Sequence, residues 1–432
     1  MKLENINKIA TYICAKMKYF FNCPLFCILI TVFFSAKLSG QQLKYGFEES
    51  TSNSYSKFHQ TLLSEQSQIS VLICGPGEEL YSKFGHAAIR IIDNKKNIDR
   101  VFNYGTFDPS MPNFYTKFLK GQMLYELSVT NTVQFLYTYQ MEKRWVTELI
   151  LNLEQEEKQR LFNFLEINAL PENKYYLYDF VHDNCATAII DVLQNELSET
   201  IEHRYNEEHY SKSFRNLIHE YLQDNSWNRV GIDLVLGSVM DRTEKYTAYA
   251  FLPDYTAEQI KQMKVRQEKL VQSERDLLRF DYKEISTPFL LTPGFWIALF
   301  SLIILLLNYI DFKNGMRNWI LDQILFSILG ALGIFLCFMW FGTDHKSTKF
   351  NFNVFWINPL FLILGLVLGK NKFIKYWHHI VLFAILILML SHSIMWIIGY
   401  QQLSALFIPL IVIIYLRLIL SLYHYYFVEL YD

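Results

Sequence analysis

"FVHDNCATAI", residues 180–189, is the stretch on which the fold and chemistry of this chain turn. A short polar cluster, His182, Asp183 and Asn184, stops at Cys185, and Ile189, Val192, Leu193 and Leu197 follow at helical spacing. Asp183 and Asn184 are residue types that cap a helix start, so the pattern predicts a helix beginning near Cys185. A thiol in the first turn sits among unpaired amides at the positive end of the helix dipole, which favours the thiolate. Such a cysteine is prepared to be a nucleophile, and it needs a general base.

The base is sought upstream, in "GHAAIRIIDNKKNIDRVFNYG", residues 85–105. Two branched, apolar runs flank the polar turn "DNKKN", which is the pattern of a β-hairpin. With the turn centred near Lys95, Asn103 lies close to Ala88 and diagonally near His86 on one face. His86 is then the candidate base and Asn103 the group that holds its ring in one tautomer, with Asp183 and His182 as competitors for that third role. Asn184 is a supporting candidate beside the thiol. Gly85 removes a side chain just before the histidine. Against this stand structural alternatives: Cys185 as a small buried apolar residue, or bonded to Cys74, with His86 an ordinary core histidine. The exported histidines and cysteines show neither HxxxH nor CxxC spacing, so no metal is expected. The G-x-S-x-G and P-loop patterns are absent, and no cofactor is expected.

The chain has 432 residues, 51% of them hydrophobic, with 40 basic and 42 acidic side chains, so bulk charge suggests no nucleic-acid partner. Hydropathy is uneven. Residues 1–40 have the layout of a secretory signal if translation starts at Met17, with an uncleaved anchor as the alternative. Residues 41–255 have soluble composition, 256–293 read as a charged helical linker, and five apolar stretches follow at roughly 294–310, 319–341, 353–369, 376–398 and 403–421, each long enough for ~30 Å of hydrocarbon. Residues 422–432 form a tail. Lys313, Arg317, Lys370, Lys372 and Lys375 fall in loops expected inside, Lys346 and Lys349 in those expected outside, which agrees with the positive-inside rule and puts the tail in the cytoplasm. Asp344, His345, Asn351 and Asn353 gather in the outer loop "GTDHKSTKFNFN", where they would meet lipid headgroups or the soluble domain.

"GEELYSKFGHAAIRI", "VFNYGTFD", "NFYTKFLKGQMLYELS", "PENKYYLYDFVHDNCAT", "GIDLVLGSVMDR", "FLPDY" and "TDHKSTKFNFNVFWINPL" together resemble the Lnb-type lipoprotein N-acyltransferases. A strand histidine followed later by "NC" at a helix start is also similar, more distantly, to the circularly permuted NlpC-type papain fold of lecithin-retinol acyltransferases. The resemblance implies an α+β, permuted papain-like domain in the periplasm, followed by an all-α domain of five transmembrane helices in the cytoplasmic membrane. It implies Cys185 as nucleophile and His86 as base in moving an acyl chain from a phospholipid donor, through a thioester, to the amine of a diacylated lipoprotein acceptor. Two rivals remain: a cell-envelope cysteine peptidase or amidase acting on peptidoglycan, and a non-enzymatic membrane assembly protein in which Cys185 is structural.

Overall fold

Short runs rich in branched and apolar residues, buried on both faces in β1 and β2, carry the first three strands, β1 (Gln68–Cys74), β2 (His86–Asp93) and β3 (Ile98–Thr106), which pair antiparallel. The computed structural model describes residues 61–108, 110–197, 201–202, 211–281, 287–367 and 372–427. The expected signal region, 1–40, lies outside the described residues. The chain continues through α1 (Phe114–Lys120), β4 (Leu124–Asn131), α2 (Thr132–Met141), β5 (Val146–Leu151), α3 (Gln155–Asn168), β6 (Tyr175–Leu177) and α4 (Cys185–Glu196). Next come β7 (Ile201–Glu202), α5 (Phe214–His219), α6 (Trp227–Val235), α7 (Pro253–Gln262), β8 (Lys264–Val265), β9 (Glu268–Lys269) and β10 (Val271–Leu278). Seven strands form one sheet in the order β10-β5-β1-β2-β3-β4-β6, every pair antiparallel.

Because side chains alternate across a strand, the sheet has two distinct faces. On one, Val71, Ile89, Phe102 and Leu149 pack with Leu161 and Phe162 of α3, Ile189 and Leu193 of α4 and Ile260 of α7. On the other, Leu72, Ala88 and Val101 meet Phe135 and Tyr139 of α2. Each of these large side chains contributes roughly 1.5–3 kcal/mol by leaving water. Together they clamp α4 onto β2.

The segment expected as a charged helical linker, 256–293, is only partly helical. After α7 it turns through β8 and β9 and becomes β10, the sheet's edge, so the exported domain extends at least to Leu278. Its charge reads as helical because an edge strand is exposed on most of its length. Arg275 Nε reaches Glu148 Oε2 at 2.5 Å and Asp276 accepts from Thr147 at 2.9 Å, cross-strand contacts that no local pattern announces.

The C-terminal region is helical and apolar: α8 (Pro293–Asn314), α9 (Trp319–Phe341), α10 (Leu360–Val367), α11 (Lys372–Ile397) and α12 (Ile408–Phe427). Among the described residues four helices are long and apolar enough to cross a membrane, or five if a pair bent by 48°, Lys346–Phe355 with Leu360–Leu366, makes one crossing. The span expected at 353–369 is therefore not one continuous helix, and it makes the fifth crossing only as part of that bent pair. Phe352–Phe355 is a 3-10 turn, and Pro359 lacks the amide needed to carry that turn into α10. The last helix runs on to Phe427, into what was expected as tail. Buried Arg417 of α12 binds Asp311 of α8 at 2.6 Å, Asn308 at 2.8 Å and Asp322 of α9, tying three helices at one end.

A seam joins the two halves. Asn351 Nδ2 donates to the Leu234 and Val235 carbonyls at 2.8 and 3.0 Å, and Asn353 Nδ2 to those of Asp233 and Leu234 at 3.1 Å each. These are the orphan carbonyls at the end of α6, so the outer loop caps a helix of the exported domain. Asp344 accepts from Gln122 at 2.7 Å, and its own amide donates to Lys120 O. His345 Nε2 lies 3.0 Å from Phe118 O.

Candidate active site

β2 and β3 stay paired from Asp93 and Ile98 as far as Ile89 and Phe102, and between Asn103 and Thr106 the register of β3 shifts against β4. At this irregularity Gly105 has φ of 88°, a conformation that suits glycine. The start of α4 is packed beside it. A Cβ built on Gly105 would lie 3.5 Å from Cys185 Cβ, 3.9 Å from His86 Cε1 and 4.0 Å from the Tyr176 hydroxyl. The parted strands thus open a place where a helix start, a strand start and a tyrosine converge.

His86 Nε2 is 2.5 Å from Asn103 Oδ1, so Nε2 carries its proton toward the amide oxygen and Nδ1 is left for the sulfur. The imidazole is hydrogen-bonded to Cys185, and the amides of Ala87 and of Cys185 itself also donate to the sulfur. Burial opposes charge on the thiol, but the charge and hydrogen bond of His86, then the two amides, hold Cys185 below its ordinary value. Burial also opposes a charged ring. The Cys185 sulfur and then Asn103 overcome it, and His86 lies above its ordinary value. Thiolate and imidazolium therefore stabilise each other, and both residues keep partial solvent exposure through which a substrate can enter.

The helix start is built by Asn184. Its Oδ1 accepts from the Ala186 and Thr187 amides at 2.8 and 3.0 Å, and its Nδ2 donates to Phe180 O and Phe251 O at 2.7 and 2.8 Å. This buried N-cap fixes the angle at which Cys185 meets β2. Asp183 exchanges backbone hydrogen bonds with Asp179, at 2.9 and 3.0 Å. Burial of its carboxyl, then Asp191 and Asp179, push Asp183 up to about 6. His182 is exposed and stands edge-on to Phe214 at 5.9 Å. Of the three competitors for the third role, only Asn103 is bonded to the His86 ring.

Asp344, His345, Asn351 and Asn353 are not gathered around the sulfur; they form the seam described above. Cys74, facing His86 across β1 and β2, is buried, and both it and Cys185 are free thiols, so the alternative disulfide does not form. Burial pushes the Cys74 thiol up to about 12, which makes it inert beside its neighbour. Among the described residues no group of three or more His, Cys, Asp or Glu is placed to hold a metal ion.

Tyr176 and Gly105 were not singled out from sequence. The Tyr176 hydroxyl is buried, lies beside the Gly105 backbone and makes no well-formed hydrogen bond. Burial and then the Cys185 charge keep it protonated, so it is a donor near the thiol. The alternating tyrosines of "KYYLYDF" were the available signal.

Two family models match: the Lnb N-terminal periplasmic domain over residues 54–220, and the Lnb transmembrane domain over residues 284–427. The chain belongs to the Lnb family. The first Lnb match takes in His86, Asn103, Tyr176 and Cys185, and the second takes in α8 to α12 with the outer loop. Membership makes this a multi-pass inner-membrane protein with a periplasmic N-terminal domain, and it points to an enzyme of lipoprotein processing at the membrane. No curated protein and no solved structure matches the chain.

Proposed function

We propose that this Lnb-family protein is a lipoprotein N-acyltransferase with Cys185 as its acyl carrier. The observation that carries the reading is the line from a thiol at a capped helix start, through His86, to Asn103 Oδ1 at 2.5 Å. The order of strand histidine before helix cysteine also agrees with a permuted papain-like arrangement.

In the first half-reaction the Cys185 thiolate attacks an ester carbonyl of a phospholipid, and a carbon–sulfur bond forms. The tetrahedral oxyanion is received by the Cys185 amide, released as the sulfur gives up its charge, and by the Tyr176 hydroxyl. As the carbon–oxygen bond breaks, His86 Nδ1 gives its proton to the departing lysophospholipid oxygen. In the second half-reaction the amine of a diacylglyceryl-cysteine attacks the thioester. His86 takes a proton from that amine, the carbon–nitrogen bond forms, and the thiolate leaves. Asn103 keeps the ring in the tautomer that both steps require. A thioester suits the exchange because it yields to amines more readily than an oxygen ester does.

The test is mass spectrometry of N-terminal lipopeptides from cells whose sole copy is wild type or Cys185→Ser. Triacylated peptides in wild type and diacylated peptides in the variant are expected. Triacylated peptides in both would overturn N-acylation, and altered muropeptides in that case would favour a wall peptidase or amidase.

A further inference from the structure

We infer that α1 is immersed in the outer face of the bilayer and that the aromatic rings behind it guide the acyl chain of a donor phospholipid to Cys185. The inference rests on the acyl-transfer reading for the identity of the reaction, while the membrane contact stands on the geometry alone.

α1 buries none of its residues, and Tyr115, Phe118 and Leu119 are 83, 54 and 45% exposed. So much aromatic and apolar surface on one short helix is costly in water and favourable in a bilayer interface. Its height is set by the seam. The carbonyls of Phe118 and Lys120 bind His345 and the Asp344 amide, four and three residues beyond Phe341, where the apolar helix α9 ends. Four residues span at most roughly 14 Å, which keeps α1 near the membrane's polar boundary. Lys117 and Lys120 in its last turn supply positive charge for a phosphate group.

From α1 a run of aromatic rings leads inward. Phe118 stacks on Phe114 with centroids 6.4 Å apart, Phe114 on Phe107 at 5.8 Å, Phe107 meets Tyr125 at 5.4 Å, and Tyr125 stacks on Tyr178 at 4.2 Å. Phe107 is two residues from Gly105, where an added Cβ would meet Cys185 and His86, and Tyr178 directly precedes the Asp179–Asp183 bridge that leads into Cys185. Rings along this line offer an acyl chain continuous apolar contact between the bilayer and the sulfur. The occupant is the chain of a diacyl glycerophospholipid of the outer leaflet, because the path begins at the membrane boundary beside two lysines.

Two measurements on the full-length protein in proteoliposomes decide the matter. A photo-crosslinking phenylalanine analogue at Tyr115 or Phe118 is expected to capture radiolabelled phospholipid, and the same analogue at Lys96, in the turn at the far end of β2, to capture none above background; equal labelling at all three positions, or none, overturns the immersion. Without any acceptor present, Tyr115→Ser with Leu119→Ser is expected to slow acyl-enzyme formation from vesicle phospholipid by about tenfold, while formation from monomeric dibutyryl glycerophosphocholine changes by less than about twofold. Equal loss with both donors would make α1 a support of the site, and normal acylation with slowed transfer to a diacylated lipopeptide would assign the path to the acceptor; either overturns the inference. If wild type forms no acyl-Cys185 with either donor, the acyl-transfer reading fails, and the crosslinks still decide the membrane contact.

Discussion

Asn103 Oδ1 receives the Nε2 proton of His86 at 2.5 Å, from a strand position two residues before Gly105, where β3 parts from β2. The amide therefore fixes both the tautomer and the tilt of the ring. Replacing Asn103 with Ala is expected to lower kcat for acyl-enzyme formation by about 10², with KM little changed, because the ring loses its orientation and the substrate its base. Steady-state rates with vesicle phospholipid check this. An unchanged kcat would give the orienting role to another group.

Alkylation by iodoacetamide reads the thiolate directly. In wild type its rate is expected to rise with pH through a midpoint below 9.0, the ordinary value, since Cys185 is held down by its partner. In His86→Ala burial is opposed only by the Ala87 and Cys185 amides, so the midpoint should move up from its wild-type position. At pH 7 the variant then reacts more slowly than wild type, and identical profiles would dissolve the ion pair.

Gly105→Ala adds a methyl group 3.5 Å from Cys185 Cβ at a φ of 88°. The space is ordinary contact distance, so the backbone carries the cost, about 1–2 kcal/mol of stability. The methyl also sits where a tetrahedral intermediate must form. We expect a lower melting temperature together with a loss of acylation larger than that of Tyr176→Phe.

Tyr176→Phe removes one donor from beside the sulfur and leaves the ring packing near Tyr104 in place. Acyl-enzyme formation is expected to fall by about 10² while iodoacetamide reactivity stays as in wild type. The two readouts separate oxyanion stabilisation from activation of the thiol.

Asn351→Ala leaves the Val235 carbonyl without its donor and the Leu234 carbonyl with Asn353 alone, and should cost about 1–3 kcal/mol. Thermal unfolding in detergent is expected to show the loss, with the iodoacetamide rate of the folded protein unchanged. A selective loss of thiol reactivity would instead bind this seam to the chemistry.

The placing of Cys185 at a helix start beside His86 and Asn103 was legible because it rests on local signals. "HDNC" announces its own helix cap, and the "DNKKN" turn fixes the hairpin register that sets Asn103 beside His86. Coarse architecture was legible for the same reason, since long apolar runs need no partner to be recognised. β10 was hidden because its charged side chains find meaning only against Glu148 and Thr147 on a strand more than a hundred residues earlier. The bent segment around Pro359 was hidden because hydropathy counts apolar residues and ignores the carbonyls that Asn351 and Asn353 cap. Tyr176 was hidden because a hydroxyl's role depends on what its strand faces.

β10 also sets a timetable for the molecule's birth. The strand that closes the sheet beside β5 is the last large piece of the exported domain to be made, and among the described residues the first long apolar helix follows it at Pro293. The nascent sheet thus waits with one edge bare until about two thirds of the polypeptide has crossed the membrane. The seven-stranded sheet of the periplasmic domain is therefore complete only just before α8 enters the membrane.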